Sequence, residues 1–380
     1  MEKRLNSERT RQAMEKVGFT QTAIAEGLGV SKEAVSQWLN DKSFPRPNKL
    51  LQLGKLLNLR FDELVIKDDP FAPRIAFRKM KGTKTKNHHV VKAKEIGVYL
   101  RQLVPFLPFS TLEMPPVLKS PSCDYDYLRQ VTANVRAEIN LGPIESIDFS
   151  HLTRRFRDLQ AVVVPVLWGS KQVHENALHI FLPDSQTSWV YLNLDTNVHD
   201  FKFWMAHELG HCLSPELKGE EAEDFADAFA ASLLFPHDLA EQAYSSIGLQ
   251  QTPAKKINHV IDLAIEMTIS PYTVIKQVNC YATSQRKSEI KLDNAFYGAV
   301  TNFNKKYVNL SESLFGVLDK NQKEKPTAHD YIERSENAFD TPFFELLRKY
   351  LDQLDKGPGF VQTVLDIPLL DARSIYAELT

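Results

Sequence analysis

Residues 207–211 read His-Glu-Leu-Gly-His, and no other stretch restricts the fold of this chain as tightly. On an α-helix, positions i and i+4 lie about 40° apart. His207 and His211 therefore share a face and can hold one metal ion between their imidazoles. Glu208 stands beside them as a general base for a bound water. A tetrahedral catalytic zinc needs a third protein ligand and leaves its fourth place to water. The fold must therefore bring another donor to this helix. The helical stretch 220–234, EEAEDFADAFAASLL, offers candidates. Glu223 is the expected third ligand, with Glu220 and Glu221 as competitors. Asp227, four residues after Glu223, shares its face and is placed to orient a zinc-binding histidine through the second ring nitrogen. Alanines 226, 228, 230 and 231 permit close helix contact. Without the histidines, the acidic cluster would read as an ordinary solvated first turn.

The 380-residue length suggests two or three domains. With 43% hydrophobic and 25% charged residues, the chain is neither a fibrous nor a mostly disordered protein. No apolar run approaches the ~18–20 residues of a membrane span. The start, MEKRLNSERTRQ, lacks the apolar core of a secretory signal. Cys123, Cys212 and Cys280 are odd in number and widely spaced, which suits a reducing cytoplasm rather than a disulfide framework. The formal net charge is −2, so any nucleic-acid contact must be local.

Residues 5–66 read as a compact helical unit. A first helix covers Ser7 to Val17. A short amphipathic stretch, 20–28, leads through Gly29-Val30 to Ser31, a good N-cap. Lys32 to Leu39 form the next helix, ended by Asn40-Asp41-Lys42. Pro45 and Pro47 break the chain before Asn48–Leu57, and 61–65 close the unit. Two helices about a tight Gly turn make a helix-turn-helix. Ile24, Leu28, Val30, Val35 and Leu39 are spaced to pack between them, and Ala25 permits a close crossing. Ser31, Lys32, Glu33, Ser36 and Gln37 are left outward, suited to base edges and phosphates. Lys42 follows the helix, and Gln21 at the start of the preceding helix can meet a phosphate. A plain helical bundle with a polar face is the alternative.

The segment after this head, 71–95, carries eight Lys/Arg against one acidic residue, with His88 and His89 inside it. It reads as a basic linker, either simply solvated or running along a phosphate backbone. Residues 99–158 look helical apart from the Pro-rich 105–121. AVVVPV at 161–166 reads as a buried or edge strand, and Ala177–Leu182 and Trp189–Leu194 as two more, separated by Pro183-Asp184-Ser185. Helices dominate from Asp200 onward. The expected architecture is mainly α with a small β-sheet. Cys212 points about 100° away from His211 and reads as a small core residue. His174, His179 and His199 look isolated. Phe339–Tyr350 reads as an amphipathic helix face or, alternatively, as a partner-binding surface. No Gly-rich phosphate-binding motif is present.

The stretch FTQTAIAEGLGVSKEAVSQWLNDKSFPRPNKLLQLGKLLNL closely resembles the helix-turn-helix of the lambda-repressor/Cro (XRE) family. The resemblance implies Ser31–Leu39 as recognition helix, Gln21 as a backbone contact, and a homodimer reading a two-fold operator in double-stranded DNA. Trp38-Leu39-Asn40 departs from the aromatic-Glu pattern of many members. WMAHELGHCLSPELKGEEAEDFADAFAASLLFP resembles the ImmA/IrrE family of zinc metallopeptidase-like proteins, which pairs HELGH with a second helix of this form. The resemblance places Glu223 and Asp227 in the two acidic positions and implies one zinc ion per chain in a gluzincin-like, zincin-type body. It extends over roughly 126–282, because ISPYTVIKQVN resembles the helix-turn-helix-like element that follows such cores.

The resulting layout is a five-helix DNA-binding head (1–66), a basic linker (67–98), a zincin-like domain with a helical lead-in (99–245), a helix-turn-helix-like element (246–284) and a helical region of unassigned role (285–380). Two functions fit it. One is a cytoplasmic transcription regulator whose zinc endopeptidase, with Glu208 catalytic, acts on a regulatory protein. The other is an antitoxin or phage-defence repressor whose zinc fold is a scaffold for a cognate toxin or regulator. A free-standing digestive protease fits neither the head nor the start of the chain.

Overall fold

The computed structural model describes residues 3–40, 42–67, 69, 71–77, 87–109, 116–169, 177–316 and 325–380. Asp41, His174, the middle of the basic segment and parts of the Pro-rich 105–121 and polar 319–326 stretches lie outside the described residues. Most described residues are helical, with a small mixed sheet, so the mainly α architecture with minor β holds. Two compact units divide at Ala72–Pro73.

The first unit contains β1 (Lys3–Leu5), α1 (Ser7–Val17), α2 (Gln21–Leu28), α3 (Lys32–Leu39), α4 (Pro47–Leu57), α5 (Phe61–Leu64) and β2 (Val65–Lys67). Each boundary has a local cause. Thr20 and Ser31 accept a hydrogen bond from the N–H three residues on, at 3.2 and 3.1 Å. Gly29 sits at φ +62°, the left-handed turn that ends α2 and aims α3. Ile24, Leu28, Val35, Trp38, Leu39, Leu50 and Leu53 fill one apolar core. The Arg11 guanidinium donates to Leu39 O and Asn40 Oδ1, tying α1 to the C-terminal end of α3. β1 and β2 pair antiparallel, joining the two ends of the unit.

The second unit begins with β3 (Arg74–Phe77) and α6 (Asn87–Leu100). These elements occupy both ends of the segment expected to be a linker, which is therefore not a tether throughout. Ile75 and Ile96 belong to the apolar core of the second unit, and burying such side chains recruits flanking residues into the fold. The chain continues with α7 (Tyr125–Glu138), α8 (Phe149–Asp158), β4 (Val162–Val166), β5 (Ala177–Leu182), β6 (Thr187–Asn193), α9 (Val198–Leu213), α10 (Gly219–Leu234), α11 (His237–Gly248), α12 (Pro253–Met267), α13 (Pro271–Ser284), α14 (Ala295–Asn304), α15 (Leu310–Phe315), α16 (Ala328–Phe339), α17 (Phe343–Leu354), α18 (Pro358–Leu365) and α19 (Leu369–Leu379). The sheet order is β3-β5-β6-β4, with β4 parallel to β6 and the other pairs antiparallel.

β4 is an outer strand, which is where a proline such as Pro165 is tolerated. Its outer side is nevertheless occupied. The hydroxyls of Tyr331 and Thr341 donate to Pro165 O and Val163 O. Trp168 Nε1 and Tyr191 OH donate to Leu365 O and Val364 O, both at 2.9 Å. Residues 325–380 thus complete the core of the second unit. Phe343, Phe344, Leu347 and Tyr350 are fully buried, which rules out the alternative reading of Phe339–Tyr350 as an exposed partner surface.

Candidate metal centre and nucleic-acid interface

α9 is buried along nearly its whole length, because it lies between the sheet and α10. Its crossing with α10 is close. A Cβ on Gly210 would meet Ala226 Cα at 3.1 Å and Phe229 Cδ1 at 3.2 Å. Glycine at this position, together with Ala222, Ala226 and Ala230 on the buried side of α10, lets the two backbones approach. That approach carries Glu223 to the histidines.

His207 Nε2 and His211 Nε2 are 3.1 Å apart. Glu223 Oε2 lies 3.5 Å from His207 Nε2, and Glu223 Oε1 lies 3.5 Å from His211 Nε2. One ligand atom from each of the three residues falls within 4.8 Å of the others. A tetrahedral centre with bonds of about 2.0–2.1 Å sets its donors roughly 3.3–3.4 Å apart. The observed spacings bracket that value, so the donor set fits a single zinc ion in both distance and chemistry. Glu220 and Glu221 lie on the exposed first turn of α10, outside the cluster. Asp227 Oδ1 is 2.9 Å from His207 Nδ1 and so orients the ring from its far side.

Glu208 is 2% exposed, and its Oε2 is buried with no hydrogen-bond partner. A buried carboxylate oxygen without a donor is costly, and this one sits on the residue next to His207. The surrounding electrostatics are unusual. Burial, reinforced by Glu223 and Asp227, pushes Glu208 up to about 8 despite the opposing influence of His207. Burial disfavours charge on His207, yet its bonds to Asp227 and Glu223 carry it up to about 9. Burial and the neighbouring His207 and His179 hold His211 well below the ordinary histidine range. In the metal-free protein the cluster thus keeps a proton on His207 that a divalent cation would displace.

Cys212 is 2% exposed, in keeping with a small core residue. His199 is buried against Phe303 and Tyr307. His179 is not isolated. It lies on β5 with its ring stacked on that of His211, the centroids 5.7 Å apart. The only trace of this in the sequence is a lone polar residue inside an otherwise apolar strand.

In the first unit, Lys32, Glu33, Gln37 and Lys42 are exposed, while Gln21 and Ser36 are half-buried. Ser31 is exposed too, but its Oγ accepts from Ala34 N, so its hydroxyl serves the helix start. Ser36 Oγ accepts from Asn40 Nδ2 at 3.3 Å. α12 and α13 repeat the turn geometry of α2 and α3. Thr268 N donates to Ile265 O and Ile269 N to Ala264 O, as Gly29 N does to Glu26 O and Val30 N to Ala25 O. On α13, however, Tyr272 packs on Phe296, and Asn279 exchanges two hydrogen bonds with Ile290. These are the counterparts of Glu33 and Asn40, and here both are engaged within the body.

The HTH_3 family model, described as helix-turn-helix, matches residues 11–64. No curated protein and no solved structure matches the chain. The first unit is therefore a helix-turn-helix DNA-binding domain, and the protein is a DNA-binding transcription regulator. Among the described residues, no helix is long and apolar enough to cross a membrane.

Proposed function

We propose that this regulator carries a zinc-dependent endopeptidase body of the ImmA/IrrE type, acting on a regulatory protein partner. The observation that carries the reading is the orphaned Glu208 oxygen beside three donors spaced for one zinc ion. His207, His211 and Glu223 would hold the ion. When bound, zinc supplies Lewis acidity, polarising a scissile carbonyl and lowering the pKa of water. Glu208 accepts the proton of the attacking water at its orphaned oxygen and returns it to the leaving amine. Asp227 keeps the His207 ring in its ligating orientation. β4 is covered on its outer side, whereas β3 is the other outer strand of the sheet and packs against α10.

Zinc-loaded protein is expected to retain close to one ion per chain by mass spectrometry, and His211→Ala to lose it. Incubation with the products of neighbouring genes, read as fragment masses, should show a discrete cut that a chelator abolishes. Zinc retained by His211→Ala, or the same cut in chelator, would refute the reading.

The depth of the site favours a second reading. His207 and His211 are no more than 3% exposed, which restricts access of a substrate to the ion. In that case zinc is a scaffold for an antitoxin or defence repressor, and chelation lowers only the melting temperature.

The DNA-reading surface of the head is assigned to Gln21, Lys32, Glu33, Ser36, Gln37 and Lys42, with two heads of a homodimer about one DNA turn apart. Gln37→Ala is expected to cost ~1–3 kcal/mol on the operator and to relax specificity at one base pair. Lys42→Ala should weaken binding to all sequences and flatten the salt dependence by about one unit of slope. Titration of both variants at two salt concentrations separates the two effects.

A further inference from the structure

Three buried polar side chains from three different elements meet between the sheet and α9, beside the ligand His211. His179 on β5, Ser188 on β6 and Cys212 on α9 are 3%, 5% and 2% exposed. His179 Nε2 lies 3.1 Å from Ser188 Oγ and 3.7 Å from Cys212 Sγ. The His179 and His211 rings are nearly parallel, 16° between planes at a centroid distance of 5.7 Å. Asp227 fixes the other ligand imidazole, His207, by a direct hydrogen bond. Desolvating an imidazole, a hydroxyl and a thiol together is costly unless they satisfy one another. An apolar trio would fill this layer more cheaply, so the polar trio answers to a requirement other than packing volume.

We propose that His179 is a positioning residue that holds the His211 ring in its ligating orientation. Ser188 and Cys212 fix the His179 ring, and its flat face then limits rotation of His211. This inference rests on the metal reading above. It adds a residue from the sheet to a centre otherwise built from two helices.

The test is cobalt(II) binding to the full chain, followed by its visible spectrum and by competition with a chelator. His179→Leu is expected to weaken metal binding ~10–100-fold, the usual effect of losing a group that orients a ligand, and to alter the cobalt spectrum. Ser188→Ala frees the ring without removing it and should give a smaller loss. His179→Phe keeps a flat face and should restore part of the affinity. A simple packing role would move melting temperature alone. Wild-type affinity and spectrum in a folded His179→Leu would overturn the proposal. Should that variant fail to fold, unchanged affinity in Ser188→Ala together with no partial retention in His179→Phe would do the same. Failure of wild-type protein to bind cobalt would instead sink the metal reading on which it stands.

Discussion

Glu208→Gln is expected to keep its zinc and to lose proteolysis by a factor of ~10²–10⁴, the range supplied by a general base. The amide is close to isosteric with the carboxylate, so packing around the 2%-exposed side chain should survive. Glu208 is not among the three converging donors, so metal stoichiometry should not change. What disappears is a lone pair able to take a proton. In the metal-free protein burial lifts the Glu208 carboxyl to about 8, so a neutral amide is little disfavoured in its place. The measurement pairs zinc content with fragment mass on the partner protein. Undiminished cleavage by the zinc-loaded variant would remove Glu208 from the mechanism. Loss of zinc would instead show that the side chain helps to hold the metal.

Arg136→Met should cause the largest loss of stability away from the site, about 3 kcal/mol. The Arg136 guanidinium is 2% exposed and donates to the carbonyls of Gly142, Glu145 and Leu233, with Nη1 to Leu233 O at 2.9 Å. It ties the α7–α8 connection to the last turn of α10, the helix that carries Glu223. Removing it leaves the buried Leu233 carbonyl unpaired and strips the part-buried Gly142 and Glu145 carbonyls of their donor, at ~1–3 kcal/mol for a buried acceptor and less for the others, partly offset by relief of burying a cation. Burial draws Arg136 down to about 10, so it is charged at neutral pH in the folded protein. Lysine cannot replace it, because a single ammonium does not span three divergent carbonyls. Urea denaturation should show a lower midpoint at unchanged slope for Arg136→Met, and little recovery for Arg136→Lys. An unfolding free energy within ~0.5 kcal/mol of wild type would refute this account.

The reach of local reasoning follows from the range of the forces involved. Spacing along one helix puts His207 and His211 on one face whatever surrounds them, and Ser31 caps α3 because its hydroxyl lies next to its own backbone. The head was legible for this reason, as were β5 and the ends of α1 and α3. The choice of Glu223 over Glu220 and Glu221 depends on the angle and closeness of the α9–α10 crossing, which Gly210 permits and α10 completes. His179 has no sequence neighbour that hints at His211, since β5 and α9 meet only through sheet packing. The burial of Phe343 and Tyr350 against β4, and the strand and helix at the two ends of the basic segment, are likewise products of one shared apolar core. Periodicity along the chain shows which side of an element is apolar. Which partner covers that side is decided only when distant segments compete to exclude water from it.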